Sequence, residues 1–222
     1  MSKIDNGTID YKGEILRKLI HLFSLSIPIV YYYIPRNSAI IILSILTFAA
    51  LVLDISRYSH PAITKFFYMV FGFMLRPHEM DHQKRNLNGA TYVLISALAC
   101  VIIFPKIIFV TAFAILIVCD SMAALIGRRY GRHKLFSKSW EGTIAFFVSG
   151  IIVVLLSPKA AYIPLEYLIG IAAAFIGAIA ENISFGWADD NLTIPLSVGF
   201  AMWGLYLLIM PNLSLVLTSV PK

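Results

Sequence analysis

No charged residue falls between Arg36 and Asp54, between Arg85 and Lys106, between Lys106 and Asp120, between Glu141 and Lys159, between Glu166 and Glu181, or between Asp190 and Lys222. Leu, Ile, Val, Phe and Ala dominate these intervals. A folded core can hide a short apolar run, but stretches of about 18 or more apolar residues read as membrane-spanning helices. In lipid the backbone must satisfy its own polar groups, which a helix does within one segment. The expected fold is therefore all-α and polytopic. Composition agrees, at 59% hydrophobic and 14% charged, where a soluble domain carries about a quarter charged residues.

Seven spans are expected, at roughly 15–35, 38–54, 87–104, 107–127, 142–157, 162–182 and 192–210. The apolar piece 63–75 lies between Pro61 and Pro77. As a helix it reaches only about 20 Å, short of a hydrocarbon core of about 30 Å, so it reads as interfacial or re-entrant. With the N-terminus inside and 63–75 not crossing, 14 Lys/Arg fall on the inner side and only Arg36, Lys106, Lys159 and Lys222 outside. That is the positive-inside bias. The net charge of +6 thus belongs to topology and does not point to nucleic acid. The chain reads as one membrane domain, 1–222, with a cytoplasmic tail at 1–13. Cys100 and Cys119 lie in apolar runs with no disulfide or zinc spacing and read as packing residues.

The same topology places most of the acids on the inner face, which suggests a polar site open to the cytoplasm. Asp120, Ala123, Ala124, Gly127 and Gly131 recur at three- to four-residue spacing. Such a small-residue stripe lets another helix approach and aims Asp120 into the bundle. Gly170, Ala173, Ala174, Gly177 and Glu181 repeat the pattern. Asp189, Asp190 and Asn191 form a short acidic turn. It reads as loop chemistry or as oxygen ligands for Mg²⁺.

Arg128, Arg129, Arg132, Lys134 and Lys138 follow the Asp120 helix. They read as a headgroup anchor or a phosphate grip. Gly127 and Gly131 would let backbone approach a ligand. Ser139 and Glu141 open the next helix, as N-cap and first-turn acid or as part of that site. Glu14, Arg17, Lys18 and His21 share one face of the first helix. Arg76, Glu79 and Asn88 flank the interfacial segment in the same layer.

Six motifs occur in order: E-x-x-R-K-x-x-H from Glu14, RPHE from Arg76, NGATY from Asn88, D-x-x-A-x-x-I-G-R-x-Y-G from Asp120, K-S-x-E-G-T from Lys138 and D-N-x-x-x-P from Asp190. Together they resemble the CTP-dependent lipid kinase family, which includes dolichol, phytol and CTP-dependent diacylglycerol kinases and is related to the phosphatidate cytidylyltransferases. The resemblance covers about residues 14–196. One departure is Cys119, where the family pattern has glycine.

The resemblance implies a Mg²⁺-dependent enzyme that uses CTP on a membrane-embedded lipid alcohol. A prokaryotic plasma membrane is the expected location, with the site facing the cytoplasm. In that expectation Asp120, Asp189 and Asp190 hold Mg²⁺. Lys138 and Arg128 hold the triphosphate, with Arg129 or Arg132 assisting. Glu181 or an aspartate takes the hydroxyl proton, and the lipid tail lies between spans near 63–75. Cytidylyl transfer to a lipid phosphate is the alternative reaction. A small non-enzymatic transporter is the alternative class. Seven spans suffice for a monomer, and the small-residue stripes also suit a homodimer.

Overall fold

Proline marks the start of four helices. The computed structural model describes residues 11–72, 86–184, 189–217 and 220–221. Its helices are α1 (Tyr11–Phe23), α2 (Ser26–Tyr33), α3 (Arg36–Ser56), α4 (Pro61–Phe71), α5 (Gly89–Ile103), α6 (Lys106–Tyr130), α7 (Trp140–Leu156), α8 (Pro164–Ile183) and α9 (Asp190–Ile209). Pro35 and Pro105 stand at N-caps, and Pro61 and Pro164 occupy the first turns of α4 and α8. There the missing N–H is one that a helix leaves unpaired anyway. Pro28 lies inside α2 and has no N–H for the carbonyl of Ser24. The chain breaks there into short-range turn bonds, Leu25 N to Leu22 O and Ile27 N to Ser24 O, which separate α1 from α2.

Five stretches are long and apolar enough to cross a membrane: Tyr11–Tyr33, Arg36–Ser56, Lys106–Tyr130, Pro164–Ile183 and Asp190–Ile209. Gly89–Ile103 and Trp140–Leu156 are apolar but shorter, at 15 and 17 residues. The outer surface is itself apolar, with Ile41, Ile45, Phe48 and Leu208 exposed. In water such a surface would aggregate, whereas against lipid it is the expected solvent match. These helices and this surface describe a membrane protein. Of the expected interfacial segment, α4 covers Pro61–Phe71 and 73–75 lie outside the described residues. The helix begins at Tyr11, inside the expected 1–13 tail.

α6 is the axis of the bundle, and α1, α2, α5, α7, α8 and α9 all pack on it. From Ile107 to Asp120 nearly every side chain is buried. The α8 stripe packs as its spacing predicts, with Gly170 against Val154 of α7 and Gly177 against Val198 of α9 and Phe146 of α7.

The all-α expectation misses one small element. Between α6 and α7 the chain forms a hairpin of β1 (Lys134–Leu135) and β2 (Lys138–Ser139), with Lys134 opposite Ser139 and Leu135 opposite Lys138. Its two-residue turn places Phe136 at φ 49°, the left-handed geometry that tight hairpin turns demand and that Gly or Asn more often supplies. The Ser137 hydroxyl donates to the Asn182 carbonyl at 2.6 Å, which docks the hairpin on the end of α8.

At the opposite end of the bundle three cations cap helix C-termini. Arg36 bonds the carbonyls of Val101 and Ile102, Lys106 that of Ile34, and Lys159 those of Val154 and Ser157. These carbonyls lack intrahelical partners and carry the negative end of the helix dipole.

Candidate active site

The helical spacing of Glu14 and Lys18 buries both against α6, at 4% and 2% exposure. The Lys18 ammonium bonds a carboxylate oxygen of Asp120. His21, one turn further on, places Nε2 3.7 Å from the same oxygen. Glu14 in turn holds two guanidinium groups, Arg17 at 2.5 Å and Arg128 at 3.1 Å. The shared face read from the sequence thus finds its partners at the C-terminal end of α6.

A second cluster centres on Lys138. The hairpin delivers its Nζ to within 2.7 Å of Glu181 Oε1 and 2.9 Å of Asp190 Oδ2, joining the end of α8 to the start of α9. Burial opposes the ammonium charge, but the carboxylates of Asp190, Glu181 and Asp120 outweigh it and hold the pKa above the ordinary lysine value. Asn182 orients this cluster by donating to Thr143 Oγ1 at 2.6 Å and to Glu181 Oε2 at 3.3 Å. Asn182 lies outside the motifs read from the sequence, where its place directly after Glu181 was the available signal, and Thr143 entered only as the last residue of K-S-x-E-G-T.

The two clusters meet at a cavity of about 220 Å³. Lys18, His21, Asp120, Asp190 and Asn191 are among its polar lining, and Ile20, Ala50, Leu53, Phe67 and Val93 among its apolar lining. Asp190 therefore belongs both to the Lys138 cluster and to the cavity wall, whereas Glu181 forms no part of that wall.

Thirty-one per cent of positions match an uncharacterized protein of Rickettsia prowazekii over 195 residues, which cover 86% of this chain and 93% of that one. The CTP-dependent diacylglycerol kinase 1 of Schizosaccharomyces pombe is 28% identical over 202 residues, covering 83% and 89%. The phytol kinase of Synechocystis sp. is 37% identical over 95 residues, 40% of each chain. The chain belongs to the CTP-dependent lipid kinase family. No family model and no solved structure matches it.

The remaining expected residues divide. Of the basic cluster, Arg128 and Lys138 reach acids, while Arg129, Arg132 and Lys134 are exposed, with Arg129 lying over the Tyr130 ring. Gly127 and Gly131 serve a close approach of protein to protein. A Cβ on Gly131 would stand 2.2 Å from the Gly127 carbonyl oxygen and 2.9 Å from Ser139 Oγ, and one on Gly127 would stand 3.0 Å from Ser139 Oγ. Ser139 is the N-cap of α7 and accepts from Gly142 N at 3.2 Å. Glu141 lies 2.8 Å from His133 Nδ1 on the exposed side. Asp189 caps α9, its Oδ1 accepting from the backbone and side-chain nitrogens of Asn191.

Asn88 caps α5 and donates its N–H to Asp54 at 2.7 Å. Asp54 pairs at 2.8 Å with the fully buried Arg57, whose guanidinium stacks on Tyr58 and Phe67. Arg76 and Glu79 lie outside the described residues.

A magnesium ion usually takes one or two protein carboxylates and completes its shell with water and substrate phosphates. Among the described residues no three His, Cys, Asp or Glu side chains converge to cage a metal by themselves. Glu181 and Asp190 do converge on one cationic point, the Lys138 nitrogen. That pair suits the protein's share of a Mg²⁺–triphosphate site.

Proposed function

We propose that the chain transfers the γ-phosphoryl group of CTP to the hydroxyl of a membrane lipid alcohol, giving lipid phosphate and CDP. The relatives' names supply the donor and the two acceptor types, diacylglycerol and phytol. The carrying observation is Asp190, which bonds Lys138 on one side and lines the cavity on the other. It stands where a charged donor and an apolar acceptor would meet.

Phosphoryl transfer asks a protein mainly for positioning and charge neutralisation. Lys138 and Arg128 would grip the triphosphate, with the exposed Arg129, Arg132 and Lys134 drawing the nucleotide in. Glu181 and Asp190 would hold Mg²⁺, which when bound neutralises charge on the transferring phosphate. The hydroxyl proton passes to one of the two carboxylates lining the cavity, Asp120 or Asp190. Lys18 and His21 fix Asp120 there.

The topology belongs to the same reading. All seven apolar passes cross, α5 and α7 included, and α4 lies at the inner face. The site end, rich in Lys and Arg, faces the cytoplasm of a prokaryotic cell, with the N-terminus on that side. A single membrane domain is part of this reading, supported by the packing of α1, α2, α5, α7, α8 and α9 on α6.

The test supplies purified protein in vesicles containing diacylglycerol, phytol or a polyprenol, with CTP labelled at the α or γ phosphate, with and without Mg²⁺. Mg²⁺-dependent γ label in the lipid is expected. Label from the α position overturns this reaction in favour of cytidylyl transfer.

A further inference from the structure

The cavity beside the two charge clusters has a lining of two kinds, charged and polar side chains on one hand and apolar side chains on the other. Its apolar lining comes from Ile20 of α1, Ala50 and Leu53 of α3 and Phe67 of α4. α1 packs on α6 and α3 packs on α5, but α1 and α3 have no substantial packing against each other. Leu53 lines the cavity and is 47% exposed. On this side the cavity is walled by two helices that do not pack closely on each other. Leu19 and Phe23 on α1 and Val52 on α3 continue the apolar exposed surface around it.

The size matters too. At about 220 Å³ the cavity is smaller than the roughly 300 Å³ at which sites for whole drug-sized ligands begin. That volume suits the head end of a lipid and not the whole molecule. A chain that leaves sideways stays in hydrocarbon throughout, so only the hydroxyl end must exchange surroundings.

We propose that the α1–α3 crevice is the lateral entry for the acceptor. The hydroxyl sits among Lys18, His21, Asp120 and Asp190, and the hydrocarbon chain passes Ala50 and Leu53 beside Phe67 into the bilayer. This rests on the phosphoryl-transfer reading and adds the acceptor's route and the residues that select it.

The experiment uses the full chain in phosphatidylcholine vesicles holding diacylglycerol or phytol with a photoreactive diazirine on the hydrocarbon chain. Irradiation without nucleotide, followed by peptide mapping, is expected to label residues 16–24 and 46–56. Label confined to other helices overturns the proposal. Ala50→Trp then fills the cavity side of α3, while Ala49→Trp puts the same bulk on the exposed neighbouring position. A50W is expected to lower labelling and kcat/KM for the long-chain acceptor by about tenfold or more, with KM for CTP changed by less than about twofold. A49W leaves both within about twofold. Equal effects of the two variants, or an A50W protein that behaves as the parent, overturn it. If A50W does not fold, A50L reads the same ratio against A49L. Photolabelling needs no turnover. A labelled crevice in a protein that transfers no phosphate removes the phosphoryl-transfer reading and keeps the crevice; normal transfer with label elsewhere does the reverse.

Discussion

Neutralising Asp120 breaks, from one side, the buried ion pair it makes with Lys18. The side chains of Lys18 and Asp120 are 3% and 7% exposed, so solvent screens the pair very little. Breaking a buried pair from one side costs about 3–5 kcal/mol, whereas replacing both partners with apolar groups is often neutral or stabilising. Asp120→Asn keeps the shape and removes the charge, so it breaks the pair from one side. For a chain of this size each kcal/mol shifts Tm by about 2–4 °C, so D120N should unfold roughly 6–20 °C below the parent. Lys18→Met should fall by a similar amount. The double variant K18M/D120L should recover most of the loss. It should nevertheless remain inactive, because both residues line the cavity that receives the acceptor. Thermal unfolding in detergent followed by tryptophan fluorescence, with γ-phosphoryl transfer measured in parallel, checks all three. The reasoning fails if D120N unfolds with the parent, or if the two single losses simply add in the double variant.

Lys138→Met should lower kcat/KM by about 10²–10³, the scale for one lost charge-stabilising donor. Because its folded pKa is raised, the ammonium stays charged up to the ordinary lysine value near about pH 10 and is lost only as pH rises through the higher folded value. A pH–rate profile should therefore show no alkaline limb from Lys138 between neutrality and that point. Gly131→Ala should destabilise by about 1–3 kcal/mol by overpacking the α6–α7 junction, while Gly204→Ala, where a Cβ meets nothing within 4 Å, should be neutral or stabilising by about 0.4–1 kcal/mol; thermal unfolding separates them. Glu166 is fully buried and accepts from Ala160 N, Ala161 N and Tyr206 Oη at 2.8, 2.9 and 3.2 Å, at the end of the bundle away from the site. Glu166→Gln should cost about 1–3 kcal/mol and leave kcat/KM of the folded fraction unchanged, since it touches neither cluster.

What the sequence determined by itself was periodicity and sign. Charge-free intervals marked the helices, small residues at three- and four-residue spacing turned Asp120 and Glu181 inward, and one spacing put Glu14, Lys18 and His21 on a common face. Tertiary structure decided which face met which. Arg128 found Glu14 across a separation of 114 residues and Lys138 found Asp190 across 52, contacts that no local pattern encodes. It also split neighbours that the sequence presents as equals. Asp189 caps its helix while Asp190 faces Lys138, because adjacent residues at a helix start point in different directions. Gly127 and Gly131 pack α6 against Ser139, where the spacing had also suited a ligand. The cavity was the least legible feature. In lipid an inward and an outward apolar side chain have similar surroundings, so hydrophobicity does not distinguish them. Ala49 faces out and Ala50 lines the cavity, and only the packing of α3 on α5, leaving α1 apart, tells the two alanines apart.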